Sequence, residues 1–454
     1  MHTSRAAGGT LAMMAILLFS GCDSNRPAVS TAPQAQPDAA VPADDMPQEF
    51  KASIFMSADV ERTGDVSPSA GASRSVDADG WREVGRSTRL GDPLPGLDAA
   101  DLARFAEGRD EFEEIDTVKE GLGPLFNEAS CGTCHDAPRG GTTGRVETRF
   151  GRVGPNGFDP MVEYGGSLIQ DHAIGLVQVG DQHFIYVPET VPAAATVKTG
   201  RLTTPLFGLG LVDAVDDATL LQLARLEARY LPATQGTPNL VTEISTGATR
   251  VGRFGWKAQV PTLHQFSGDA YLNEMGITNP DFPEESAPQG DHAALAFNPF
   301  PTLNDDGGNV DKFFDFMRLL APPPRGRRSF ASEAGGAIFV ASGCASCHTP
   351  NLVTGNSPVP ALSRKVFHPY SDFLLHDMGA LGDGIVQGQA SGRQMRTAPL
   401  WGLSARPSFL HDGRAKTPHA AILAHGGQGL TARNRYLRLR VYERYALLAY
   451  LKSL

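Results

Sequence analysis

Apolar residues are spread unevenly along this chain, and the unevenness divides it. Leu11 to Phe19 is an uncharged apolar run, too short to span a bilayer. From about Asp23 to Gly80 large apolar side chains are scarce, and Ala, Pro, Ser, Asp and Gln dominate. Such a stretch buries too little surface to offset its chain entropy, which predicts a flexible tether. Further on, Phe313, Phe316, Met317 and Leu320 stand at helical spacing and stop at Pro322-Pro323-Pro324, residues that cannot continue a helix. Tyr442, Tyr445, Leu448 and Leu451 are spaced three apart and predict a last helix with all four on one face. Strand-like alternation is rare, so the expected fold is mainly α with long loops.

Two landmarks recur in the same order. Gly123-Pro-Leu-Phe126 and Gly336-Ala-Ile-Phe339 each precede a C-x-x-C-H run by the same interval. Thr203-Thr-Pro205-Leu-Phe207-Gly-Leu209 is then echoed by Thr397-Ala-Pro399-Leu-Trp401-Gly-Leu403. Matched landmarks in matched order indicate duplication of one unit. With a boundary near Pro322, the predicted organisation is a leader over 1–22, a tether over 23–95, a first domain with an inserted middle segment over 96–322, and a second domain over 323–454.

The leader has the layout of an export signal, with Arg5 ahead of the apolar run. Ser20-Gly21-Cys22 comes directly after it and resembles a bacterial lipoprotein processing site with Cys22 as the lipidated residue. A plain secretory signal cleaved nearby is the alternative. Asp23 resembles a cue for inner-membrane retention in some bacteria. The expected location is periplasmic, on a lipid anchor.

Of five cysteines, the four outside the leader form Cys131-Gly-Thr-Cys134-His135 and Cys344-Ala-Ser-Cys347-His348. This spacing suits covalent haem: two thiols add to the porphyrin vinyl groups and deliver the adjacent imidazole to the iron. Structural zinc and a redox dithiol are the competing readings, but neither explains a histidine directly after both pairs. The predicted cofactors are two covalently bound haems c, with His135 and His348 as proximal ligands. The helices ending at Pro322 and at the C-terminus then read as closing helices of two cytochrome c-like haem domains.

The units differ downstream of the second landmark. After Pro399 come Ser408-Phe-Leu-His411-Asp-Gly-Arg414 and Ala421-Ile-Leu-Ala-His425-Gly-Gly427, whereas Leu211 to Ala224 holds no histidine or methionine. His425 is thus the first choice for a sixth ligand on the second iron, with Met378 the rival, and the first iron is expected to be open. An open iron can meet peroxide, while a six-coordinate one passes electrons.

Composition adds limits. Over 454 residues, 20% are charged and 41% apolar, with a net charge of −10. That charge argues against nucleic-acid binding and leaves room for a basic redox partner or a small neutral substrate.

Several further stretches, Gly121-Leu-Gly-Pro-Leu-Phe-Asn127, Gly252-Arg-Phe-Gly-Trp-Lys-Ala258, Met275-Gly-Ile-Thr-Asn279, Leu374-Leu-His-Asp-Met-Gly379, Arg396-Thr-Ala-Pro-Leu-Trp-Gly402, Leu410-His-Asp-Gly-Arg414 and His425-Gly-Gly427, resemble the bacterial di-haem cytochrome c peroxidase superfamily. The likeness is to its di-haem oxidoreductase branch and covers roughly residues 95 to 454. It implies that the N-terminal haem meets hydrogen peroxide while the C-terminal haem takes electrons from a small cytochrome c or cupredoxin. It also implies Trp256 as a relay between the haems. In the peroxidases a methionine ligates the electron-accepting iron where His425 stands here, and Gln428 replaces a frequent glutamate. Glu163 and His172, between the first haem run and its echo, are candidates for the distal base. Arg253, Arg396 and Arg414 are candidates for pairing with haem propionates. A non-enzymatic electron carrier and a protein-modifying oxidase stay open as alternatives.

Overall fold

The computed structural model describes residues 89–454 apart from 137, 138 and 302, together with 51, 82 and 83. Cys22, the leader and most of the tether lie outside the described residues. All described residues belong to one compact unit, Pro42–Leu454. Within the stretch assigned to the tether, Leu94 is already buried and its N–H donates to Leu319 O at 2.7 Å.

The helices, in chain order, are α1 (Ala99–Glu113), α2 (Cys131–His135), α3 (Leu209–Asp213), α4 (Asp217–Tyr230), α5 (Leu263–Met275), α6 (Gly308–Leu319), α7 (Phe330–Ala341), α8 (Pro418–Ala424), α9 (Leu430–Arg438) and α10 (Val441–Lys452). Each repeated half is built on one helix pair that crosses at a glycine. In the first, α1 starts where the Asp98 side chain accepts from Asp101 N, satisfying an otherwise unpaired helix donor. It packs on α6 through Phe105–Phe316, Phe112–Phe316 and Phe112–Phe313, with ring centroids 5.3, 4.8 and 6.4 Å apart. A β-carbon on Gly108 would stand 2.2 Å from Lys312 O, so only glycine permits this approach. In the second, α7 meets α10, and a β-carbon on Gly335 would stand 2.1 Å from Ala446 O.

The helix ending at Pro322 matches its prediction, and so does the existence of the last one. The face of α10 does not: Ala446, Leu447, Tyr450 and Leu451 are buried, whereas Tyr442 and Tyr445 are 61% and 69% exposed. Tyr450 packs on Phe339 and Tyr370, and that contact sets the rotation of the helix.

The expectation of a mainly α fold is overturned. The described residues are 36% helix and 17% strand, a mixed α/β composition. Most of the unforeseen structure is the inserted segment, where β1 (Val146–Gly154) pairs antiparallel with β2 (Gly157–Asp159), β3 (Leu168–Ile169) and β4 (Val197–Leu202). Side chains alternate across a strand. On β1, Glu147 and Arg149 line a mixed cleft, while Phe150 is buried with Met161 and Ile169 in a small separate cluster. One buried apolar residue in nine positions leaves almost no period-two signal, which is why the strand is hard to see in the sequence.

The two repeated landmarks fare differently. Phe126 belongs to a two-residue strand, whereas Phe339 lies inside α7. The second landmark does keep its shape. Gly208 and Gly402 both adopt a left-handed conformation (φ 68° and 67°) and both start a short helix. A β-carbon at Gly208 would meet the Trp401 ring at 2.8 Å, so the two echoes pack against each other. Among the described residues, no helix is long and apolar enough to cross a membrane.

Candidate functional site

The first C-x-x-C-H run is a single helical turn, α2, begun by Ser130, whose hydroxyl accepts from Gly132 N at 3.2 Å. The turn places Cys131, Cys134 and His135 on the wall of a cleft. His135 Nδ1 donates to Gly141 O at 3.3 Å, which fixes the tautomer and leaves Nε2 free to bind a metal. Burial lowers the His135 pKa to about 4, so the ring is neutral at physiological pH, as a ligand must be.

The rest of that cleft is mixed. Phe112, Leu206, Phe266 and Met317 line it together with Glu147, Arg149, Asp269 and Glu274. None of its other lining residues is a histidine, and Met275 is engaged with Cys131 at an S···S distance of 3.8 Å. Glu274, at the end of α5, accepts from Asn127 Nδ2 at 2.8 Å. Burial and the neighbouring Glu147 hold its carboxyl well above the usual carboxylate range. Glu147 is shifted the other way: burial opposes its charge, but Arg149 outweighs burial. Asp269 is raised to about 6, mainly by burial. A carboxyl group that keeps its proton near neutral pH, beside one that does not, can hand a proton on or take it back.

The second C-x-x-C-H run forms a turn after α7, at Cys344–Ser346. His348 Nδ1 donates to Tyr370 O at 3.1 Å, repeating the arrangement of His135. Burial, and then the nearby His425, lower its pKa to about 4. His425 caps α8, and its Nδ1 donates to Ala421 O at 2.8 Å, so its Nε2 is also free. The two ring centroids are 6.4 Å apart. Metal–imidazole bonds of about 2 Å, plus the half-widths of the rings, bring two ligands of one ion to roughly 6 Å between centroids. The spacing therefore fits a single iron held from both sides. Met378 lies close by, since a β-carbon on Gly429 would meet both its methyl and the His425 ring.

Beside this centre, His376 Nε2 pairs with Asp372 at 2.8 Å and its Nδ1 lies 3.5 Å from Cys347 Sγ. Among the described residues, Cys347, Asp372 and His376 are the one group with ligand atoms within 4.8 Å of each other. Cys347 also belongs to the C-x-x-C-H run.

Trp256 lines the first cleft and also a smaller cavity between the repeated halves, while its ring nitrogen donates to Leu202 O at 2.8 Å. It meets His411 edge-on, with centroids 6.3 Å apart. Arg396 and Arg406 line the smaller cavity, and burial lowers each to about 10. Both donate to backbone carbonyls rather than to carboxylates, and Arg406 Nε is buried without a partner. Two such cations suit an anion such as a haem propionate. Arg406 escapes sequence reasoning because nothing local marks it.

The remaining candidates lie as follows. Arg253 is spent on Asp217 and the carbonyls of Val212 and Val215. Arg414 pairs with Asp412 and is 53% exposed. Glu163 pairs with Arg152 at the surface. His172 is half exposed, pairs with Asp171 and stacks on Phe126. None of these four except Arg253 lines either cavity.

No curated protein matches the chain. Among solved structures, the diheme peroxidase BthA of Burkholderia thailandensis E264 aligns at 14% identity and a TM-score of 0.36, over 84% of this chain and 92% of that one. Hydrazine synthase of Kuenenia stuttgartiensis aligns at 14% identity and 0.34, over 86% and 99%. A MauG-like protein associated with microbial copper homeostasis aligns at 15% identity and 0.27, over 61% and 95%. Residues 194–454 match the family described as "Di-haem oxidoreductase, putative peroxidase". That span holds the second C-x-x-C-H run, His425, Trp256 and Glu274, and it covers more than half of the sequence: the chain belongs to the di-haem oxidoreductase family.

Proposed function

We propose that the chain carries two haems, attached through Cys131 and Cys134 and through Cys344 and Cys347, and that it reduces hydrogen peroxide at the N-terminal one. One observation carries the reading: the two centres differ in what faces the proximal histidine. His348 is opposed by His425 at one iron's width, whereas His135 opens onto a cleft lined by carboxyl groups with no second imidazole. A coordinatively open haem iron supplies peroxide binding and O–O cleavage, and a six-coordinate one supplies reversible one-electron transfer.

The residues divide the remaining work. In sum, peroxide takes two electrons and two protons and yields two waters. Above its raised pKa, Glu274 would take a proton from peroxide and return it to the departing oxygen, the task of a positioned acid–base group. Asn127 orients its carboxyl, and Glu147, kept ionised by Arg149, strengthens the hold of Glu274 on the proton that it takes up. Trp256, lining both cavities, offers an aromatic relay between the centres. Arg396 and Arg406 would neutralise propionate charge and help hold a haem in place.

The test is electron paramagnetic resonance of the oxidised protein before and after one equivalent of hydrogen peroxide. A high-spin ferric signal beside a low-spin one, with the high-spin signal lost on peroxide, is expected. Two low-spin signals that ignore peroxide in both the oxidised and half-reduced forms would overturn the reading and leave an electron carrier.

A further inference from the structure

The outward face of the last two helices has an unusual make-up. Leu437, Val441, Tyr442 and Tyr445 are 47%, 81%, 61% and 69% exposed, because α10 turns its other side to the core. Single exposed apolar residues are ordinary, but four within nine positions form a patch. Its charge also runs against that of the whole chain. Between residues 430 and 444 lie Arg433, Arg435, Arg438, Arg440 and Arg444 against Glu443 alone, in a chain of net charge −10. Glu443 is occupied in accepting from Arg440 N at 2.7 Å.

The patch also borders the C-terminal centre. A β-carbon on Gly343, the residue before Cys344, would stand 3.0 Å from an Arg435 nitrogen. The positive charge of Arg435 is felt at Cys344, and that of Arg433 at His425. Tyrosines and arginines around an apolar centre are the residues that recur in protein interfaces.

We propose that the exposed residues Leu437, Val441, Tyr442 and Tyr445, interleaved in sequence with Arg435, Arg438 and Arg440, dock an acidic one-electron donor protein beside the C-terminal haem. The inference rests on the reading that this haem receives the electrons. Charge complementarity selects the partner: clustered arginines attract an acidic surface and repel a basic one, and steering of this kind speeds encounter. Each encounter oxidises the donor by one electron and reduces the haem by one. This makes the donor acidic, whereas net charge alone left room for a basic one.

The experiment uses the full-length holoprotein and two probes, a reduced acidic cupredoxin of the plastocyanin type and a reduced basic mitochondrial cytochrome c. Stopped-flow absorbance follows haem reduction, and titration calorimetry with the oxidised probes follows binding. The acidic probe is expected to bind and react faster at low salt, slowing about tenfold as salt rises. The double variant Arg435→Glu, Arg438→Glu is expected to lose that advantage while its reduction by a neutral hydroquinone is unchanged. Tyr442→Ser with Tyr445→Ser is expected to weaken binding without altering the salt dependence. Equal rates for both probes, or an unaffected charge-reversal variant, would overturn the proposal. So would a variant that reacts normally with the acidic probe but no longer sediments with vesicles of anionic phospholipid, which would assign the patch to a membrane surface. A protein that takes electrons here yet ignores peroxide would sink the peroxidase reading and leave this one standing.

Discussion

Glu147 and Glu274, on a strand of the inserted sheet and at the end of α5, bring their carboxyl groups close enough to share a proton inside the cleft that holds His135. The pair titrates as a unit, with one proton retained well above the usual carboxylate range. Replacing Glu274 by Gln keeps the shape and the Asn127 contact but removes the base. Peroxide turnover should fall by about 10² to 10⁴-fold, with the haem absorption spectrum unchanged. Wild-type absorption with near-wild-type turnover would exclude Glu274.

The same pair fixes the sign of a pH effect. A base whose pKa is raised is protonated, and idle, below that pKa. Reaction with peroxide should therefore rise with pH through the neutral-to-alkaline range instead of levelling off near pH 5. Arg149 pairs with Glu147 at 2.8 Å, so Arg149→Met leaves both carboxyls less willing to ionise. The acid limb of the profile should move to higher pH in that variant, as measured by stopped-flow against hydrogen peroxide.

At the second centre the test is spectroscopic. His425→Met should exchange a nitrogen ligand for a sulfur one and raise the reduction potential of that haem, and His425→Ala should give a high-spin signal from it. An unchanged low-spin signal in His425→Ala would pass the ligand role to Met378, which lies beside it.

Arg406→Met should lower the potential of a haem whose propionate Arg406 would pair with, because removing a buried cation disfavours the added electron. Redox titration checks this. A shift in neither haem would make Arg406 a packing residue for the carbonyls of Pro399 and Trp401.

Between the repeated halves, Asp383 is fully buried and holds Lys257 at 2.7 Å and Arg201 at 2.8 Å. Asp383→Ala strands two buried cations and should cost about 3–5 kcal/mol of stability. Denaturant unfolding of the holoprotein measures it. A cost below about 1 kcal/mol would mean that the remaining carbonyl contacts of Lys257 to Ser391 and Gln394 suffice.

The features legible in the chain were local. The C-x-x-C-H runs, their histidines, the helix stopped by Pro322 and the candidacy of His425 all depend on residues close in sequence, whose covalent spacing alone constrains what they can do. The repeated Thr-x-Pro-Leu-aromatic-Gly landmark belongs with these, since its left-handed glycine is a local demand met twice.

The features that stayed hidden depended on long-range packing. Glu163 and His172 had suitable side chains in the right interval, but the fold sends them outward. It draws Glu274 and Glu147 together from α5 and β1. Arg253 and Arg396 are equally plausible propionate partners on paper, and only the position of Asp217 separates them. The inserted strands escaped notice because the longest of them buries one large apolar side chain, Phe150, in nine positions. Sequence by itself determined the two C-x-x-C-H runs, the histidine that each presents and the helix that stops before Pro322, since short covalent intervals dictate those. Tertiary structure decided which carboxyls share the open cleft, which arginines are left without a carboxylate and which face of α10 meets solvent, because burial and the field of neighbouring charges exist only once the chain has folded.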